Sequence, residues 1–265
     1  MNHAKDLSMF ELKMRGPVAE VTLCRPPVNA ISEEWGAAFG QLLDQLDARD
    51  DWSVLQLRSN QKVFAAGADL AQIQSWISAP APDAVLSGYI GKLQAVYRRL
   101  ESLSRVTLAE IGGAALGGGL ELALCCDLRI AAHEARLGLP EVGIGLIPGL
   151  GGTQRLTRLV GRGTASQLIL SAEPVDGATA KALGLVQWSV PRADIAAEAA
   201  ALADRIAALP LPALKVAKSL IGAHGAGHDA GYLLERELGG ALLLTPEAQQ
   251  RITAFIEKSR NRPAA

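Results

Sequence analysis

Glu121 and Glu141 are isolated acids in surroundings that do not suit a charge. Glu121 falls within Gly112 to Asp127, GGAALGGGLELALCCD, and Glu141 within Leu137 to Leu159, LGLPEVGIGLIPGLGGTQRLTRL. Burying an unpaired carboxylate is costly, so a cleft suits both better than a closed core. Carboxyl groups in such a cleft are fitted to general acid and base work.

The glycines around them suggest what the acids work beside. Gly117, Gly118 and Gly119 precede a run with helical character. Backbone N–H groups at a helix start are unbonded, and with the positive end of the helix dipole they can hold a developing negative charge. Glu121 follows Gly118 by three residues, one turn along the same face. Upstream, Val63 to Leu70 (VFAAGADL) surrounds Gly67 with small residues that let a ligand approach the backbone. Asp69 then reads either as the cap of the next helix or as part of a site. Nucleotide loops are excluded: no Gly-Lys-Ser/Thr follows at the required spacing, and Gly143-x-Gly145 meets Pro148 where a third glycine is needed.

The elements that must position these residues alternate in type. Val18 to Leu23 reads as a strand ended by Pro26 and Pro27. Ser32 then caps a helix whose apolar positions are Trp35, Phe39, Leu42, Leu43 and Leu46. Ser53 to Leu57 and Val106 to Ile111 read as further strands, each followed by a glycine-containing turn and a helix-like segment. This pattern predicts an α/β fold with helices packed on sheets. Ile77 to Ser87, with Pro80 and Pro82, reads as a loop. From about Asp194 the chain turns helix-rich, with segments to Leu209, after Pro212, around Tyr232 to Leu244 and from Pro246. We therefore expect a core over 1–195 that holds the site, and a helical C-terminal region over 196–265. The last helix has Thr245 as N-cap, Pro246 at its first position and Lys258 in its final turn. Its stripe of Ile252, Phe255 and Ile256 needs a partner.

Composition excludes several classes of function. The chain has 265 residues, 49% of them hydrophobic, enough for a substantial core. Its 26 basic and 27 acidic residues give a net charge of -1, with no electrostatic footprint for nucleic acid or an anionic membrane. Cys24, Cys125 and Cys126 form neither a metal spacing nor a disulfide framework, so a reducing, cytoplasmic setting is expected. Met1 to Phe10 lacks the apolar stretch of a secretory signal. The apolar run Ile111 to Cys126 is interrupted by Glu121 and falls short of the ~20 residues of a membrane span. His3, His133, His224 and His228 read as structural.

Four segments taken in order, RPPVNAIS (25–32), VFAAGADL (63–70), ALGGGLELALCCDLRIA (115–131) and PEVGIGLIPGLGGTQRL (140–156), resemble the signature regions of the enoyl-CoA hydratase/isomerase, or crotonase, family. The resemblance implies a spiral of repeated ββα units. It also implies an oxyanion hole from the N–H groups of Ala68 and Gly118, with Glu121 and Glu141 as catalytic acid and base. The expected reaction is reversible hydration of a trans-2-enoyl-CoA, and the nearest alternatives are double-bond isomerisation or dehydration of a specialised 3-hydroxyacyl-CoA. RNA binding, known among relatives, does not fit the charge balance. No metal or redox cofactor is implied, since coenzyme A is part of the substrate. By the same resemblance Arg25, Ala66, Asp69, Leu70, Phe255 and Lys258 would contact CoA or substrate, and the chain would form a homotrimer or a dimer of trimers. Many relatives carry a Lys two residues after the matching Asp, where this chain has Ala71.

Overall fold

The computed structural model describes residues 9–77, 82–223, 235–239, 241 and 244–260. The chain divides into two compact units, 1–206 and 207–265. The first opens with a hairpin of β1 (Phe10–Arg15) and β2 (Val18–Leu23), antiparallel with Phe10 opposite Leu23. The sequence reading has β2 to the residue and does not give β1. Then come β3 (Val54–Ser59), β4 (Val106–Ile111), β6 (Leu128–Ala132) and β9 (Trp188–Val190). The resulting six-stranded sheet has the order β1-β2-β3-β4-β6-β9 and is parallel beyond the first hairpin. Parallel neighbours require a long return connection, and here the returns contain helices.

The first return is α1 (Glu33–Asp47). Ser32 caps it, its hydroxyl accepting from the Trp35 N–H at 3.2 Å. The apolar stripe is fully buried as the spacing predicts: Trp35, Phe39, Leu42, Leu43 and Leu46 lose all exposure. Phe10, beside Leu23 in the sheet, sets its ring 5.2 Å from that of Trp35, which joins helix to sheet.

Each later pass gives a long strand, a short extended segment and a helix. β3 leads through Ala65 and Ala68 into α2 (Leu70–Ile77) and α3 (Pro82–Ser102). β4 leads through β5 (Ala115–Leu116) into α4 (Gly118–Leu124). β6 leads through β7 (Arg136–Gly138) and a 3-10 turn (Pro140–Ile144) into α5 (Gly152–Leu170), which breaks at Gly161. The short segments form a second row. β5 pairs with β7, and β7 with β8 (Val175–Asp176), while bridges join Ala65 to Ala115 and Ile31 to Ala68. This is the ββα spiral, and Ala68 and Gly118 lie at the ends of neighbouring short segments.

One expectation fails here. The stretch Ile77 to Ser87 is read as a loop, yet α3 is already under way at Pro82. Proline suits the first turn of a helix, where its missing N–H would have no partner and its fixed φ is already helical. Residues 78–81 and Pro80 with them lie outside the described residues.

α6 (Gly177–Ala182) and α7 (Ile195–Ala207) complete the first unit's elements. In the second unit the described elements are helical: α8 (Leu211–Gly222), residues 235–239, and α9 (Pro246–Arg260). The Thr245 hydroxyl accepts from the Ala248 N–H at 3.3 Å, as an N-cap does. Most of the segment expected around Tyr232 to Leu244 lies outside the described residues. Among the described residues no helix is long and apolar enough to cross a membrane.

Candidate active site

Glu121 sits in the first turn of α4 with 1% of its surface exposed. Its carboxylate is met by backbone: the N–H groups of Leu150 and Gly152 both donate to Oε1, each at 2.7 Å. Burial pushes its pKa up to about 7, and the nearby charge of Glu141 adds to the rise. The two N–H bonds and the charge of Arg155 act the other way. Glu141 lies on the 3-10 turn, and its Oε2 is buried with no hydrogen-bond partner among the described residues. Burial raises its pKa as well.

Both carboxyl groups press on glycine. A Cβ at Gly117 would lie 2.9 Å from Glu141 Oε1, and one at Gly152 would lie 2.9 Å from Glu121 Oε1. Gly117 also has φ 51° and ψ -127°, a backbone state that side chains disfavour. The glycine-rich sequence on either side of the acids is therefore the space they occupy.

Ala68 and Gly118 present the free donors of the site. In the bridge between Ile31 and Ala68, Ile31 N–H donates to Gly67 O at 2.8 Å and Asp69 N–H donates to Ile31 O at 3.0 Å. The bridge uses the peptides on either side and leaves the Ala68 N–H out. Gly118 is the first residue of α4, so its N–H has no intrahelical acceptor. Neither N–H donates to another described residue. The two backbones are close: a Cβ built on Gly118 would lie 3.6 Å from Ala68 N. Gly67 makes the approach possible, with φ 101° and no room for a Cβ, which would come within 2.9 Å of Leu116 O. Tyr97 on α3 fixes the Gly118 peptide on its other side, its hydroxyl donating to Gly118 O at 2.9 Å. Two acids of raised pKa thus flank a pair of unbonded N–H groups. Such a set can move protons beside an oxygen that becomes negative.

The outer residues divide. Arg25 Nη2 donates to Asp69 Oδ2 at 2.9 Å, and Nη1 donates to Ala30 O. The Arg25 bond holds the Asp69 carboxyl below its ordinary pKa. Asp69 Oδ1 also accepts from the Gln72 N–H at 3.2 Å, so it caps α2 as well as flanking the site. Ala66 donates its N–H to Val28 O at 3.0 Å, and Leu70 is exposed at the start of α2. Trp76 and Tyr89 pack ring to ring at 4.6 Å, and the Tyr89 hydroxyl donates to Ile31 O at 2.9 Å. Phe255 and Lys258 fall on α9, but their side chains lie outside those described. Sequence reasoning missed the Leu150 and Gly152 donors, which carry no side-chain signature, and Tyr97, an aromatic on a helix face. Among the described residues no three His, Cys, Asp or Glu side chains gather to hold a metal ion.

Residues 13–262 match the family profile described as enoyl-CoA hydratase/isomerase. The chain belongs to that family. It is 34% identical over 258 residues to the short-chain-enoyl-CoA hydratase of Clostridium acetobutylicum, covering 96% of this chain and 97% of that one. It is 38% identical over 255 residues to the crotonyl-CoA hydratase of Syntrophomonas wolfei, covering 94% and 95%. Among solved structures, the enoyl-CoA hydratase of Bacillus anthracis superimposes with a TM-score of 0.88 at 30% identity, over 94% of this chain and 96% of that one.

Proposed function

We propose that the chain catalyses the reversible addition of water to a trans-2-enoyl-CoA, giving a 3-hydroxyacyl-CoA. The thioester oxygen sits between the N–H groups of Ala68 and Gly118. As water attacks C3, charge builds on that oxygen as an enolate, and each fixed donor lowers the barrier by ~3 kcal/mol, judged from donor deletions elsewhere. Glu121 takes a proton from the water while its hydroxyl bonds to C3, and Glu141 delivers a proton to C2. Exchange with solvent returns the pair to its starting protonation. In dehydration the same groups run in reverse.

The observation that carries this reading is the contrast between the two acids. Glu121 has one oxygen gripped by two N–H groups, which orients it as a base. Glu141 has a buried oxygen with no partner among the described residues, where a proton can sit for delivery. Names of relatives at 34% and 38% identity, short-chain-enoyl-CoA and crotonyl-CoA hydratase, support the same class of substrate. Isomerisation needs one acid/base, so the presence of both favours hydration.

The test is to follow the conjugated enoyl-thioester absorbance as protein is added to crotonyl-CoA and to longer 2-enoyl-CoA esters. We expect the absorbance to fall to a hydration equilibrium, with 3-hydroxyacyl-CoA as product. If no ester of any length is hydrated, the proposal fails.

A further inference from the structure

Glu121 is gripped by main chain, so its position depends on whatever holds the turn over residues 149–152. Among the described residues no strand or bridge pairs with that turn. Gly151 has φ 105°, and a Cβ there would run into the Arg155 guanidinium. Arg155, one turn into α5, bends back over the turn and donates through Nη1 to Leu150 O at 2.7 Å. Its Nη2 donates to Glu101 Oε2 at 2.8 Å, which anchors the guanidinium to α3. From the same helix Gln94 Nε2 donates to Gly149 O at 2.7 Å, and the Tyr97 hydroxyl donates to Gly118 O. Gln94, Tyr97 and Glu101 are three and four residues apart and share one face of α3. One helix face therefore braces both the turn that grips Glu121 and the Gly118 peptide.

We infer that Arg155 is a positioning residue for Glu121: anchored by Glu101, it sets the peptides of Leu150 and Gly152 and so fixes the orientation and ionisation of that carboxyl. The role goes with the proposed hydration, in which Glu121 is the base. Among the described residues four titratable or charged groups face Glu121: Glu141 from the 3-10 turn, Tyr97 from α3, Cys125 from its own helix and Arg155 from α5. Arg155 is the cation among them, and its charge opposes the effect of burial on Glu121. Arg155 Nε is buried with no partner among the described residues, a cost that the two Nη bonds must offset.

A purely structural arginine and a positioning one predict different results. In Arg155→Gln we expect kcat to fall roughly tenfold to a hundredfold, as for a misplaced catalytic group, with KM nearly unchanged. The Glu121 carboxyl, followed by 13C NMR and assigned by its absence in Glu121→Gln, should titrate higher by roughly one pH unit. Adding Arg155→Gln to Glu121→Gln should cost no further turnover, because the arginine acts through that carboxyl. An unmoved titration, or a loss that multiplies on the Glu121→Gln background, would overturn the inference. Should Arg155→Gln fail to fold, Arg155→Lys decides by the same cycle: a kcat loss that vanishes in the Glu121→Gln background supports the role, and an additive loss removes it. The titration needs no substrate. A protein that hydrates no enoyl-CoA yet shows the shift sinks the proposed reaction alone, and one that hydrates without the shift sinks the positioning role alone.

Discussion

Glu110 and Glu121 are both carboxylates sunk in the first unit, 5% and 1% exposed, and their surroundings answer them in opposite ways. Glu110, on β4, is met by side chains: Gln56 Nε2 donates to Oε2 at 2.7 Å, and Arg58 Nη2 stands 3.6 Å from Oε1. Burial raises its pKa, and Arg58 and Gln56 draw it back. Arg58 also reaches Glu20 at 3.4 Å, so the acid belongs to a polar ladder on one face of the sheet, where Glu20 pairs with Gln56 and Thr22 with Arg58. Glu121 has its bonds on one oxygen, from backbone, and Oε2 accepts none among the described residues. A buried acid supplied with side-chain partners is part of the structure. One held by main chain on a single oxygen leaves the other open to a ligand.

The sharpest way to break this contrast is Glu121→Gln, which keeps the shape of the side chain and removes the proposed base. We expect turnover to fall by ~10²–10⁴-fold, the usual weight of a general acid or base, with the fold intact. Stability should move the other way. The carboxyl's folded pKa of about 7 lies above its ordinary 4.5, so the folded chain holds a proton that the unfolded chain releases. Its contribution to stability is then present below pH 4.5 and lost as pH rises to about 7. The loss is on the order of 3 kcal/mol above that range. Glu121→Gln should therefore melt near wild type at pH 4 and higher than wild type at pH 8. Equal melting at both would mean that the carboxyl is not held in the strained state assigned to it.

This comparison also explains what the sequence does and does not disclose. Glu110 stands among apolar residues in VTLAEI just as Glu121 does in its own segment, and isolation alone would have marked both. What separates them is Gln56 and Arg58, which reach Glu110 only through the register of β3 against β4. The strands Val18–Leu23 and Val106–Ile111 were legible because their apolar residues and flanking breakers are local signals. So was the stripe of α1. The ordered glycine and acid segments pointed to Glu121, Glu141, Ala68 and Gly118 by resemblance. The grip of Leu150 and Gly152 was not, because a backbone donor leaves no mark in residue type. Nor was Arg155, whose partner Glu101 lies 54 residues away on another helix.

A smaller effect is expected at Gly117, where the comparison can be sharpened from the side of Glu141. Gly117→Ala adds one methyl group in a disfavoured backbone state and directs it at Glu141 Oε1, 2.9 Å away. Displacing that carboxyl should lower kcat about tenfold, and the backbone strain should cost about 1–3 kcal/mol of stability. Turnover and thermal unfolding measured on the same preparation separate the two. Wild-type turnover in a destabilised protein would show that Glu141 tolerates displacement and does not act at a fixed point.

The smallest effect should come from Glu110→Gln. The new amide oxygen can still accept from Gln56 Nε2, and Arg58 keeps Glu20 as a partner, so the one donor newly left unmet is the amide NH2 that takes the side of Oε1 and faces Arg58 Nη2. The substitution removes both a desolvated charge and its attraction to Arg58, terms of opposite sign that commonly come close to cancelling for buried pairs. We expect kcat and its pH profile to stay within about twofold of wild type, inside the range where no transition-state contact is lost. Stability above pH 7 should fall by about 1 kcal/mol, set by that unmet amide, in contrast to the gain from Glu121→Gln. A loss of turnover approaching that of Glu121→Gln would mean that side-chain partners do not mark an acid as structural. The polar ladder across β2, β3 and β4 would then have to be counted among the parts that support catalysis.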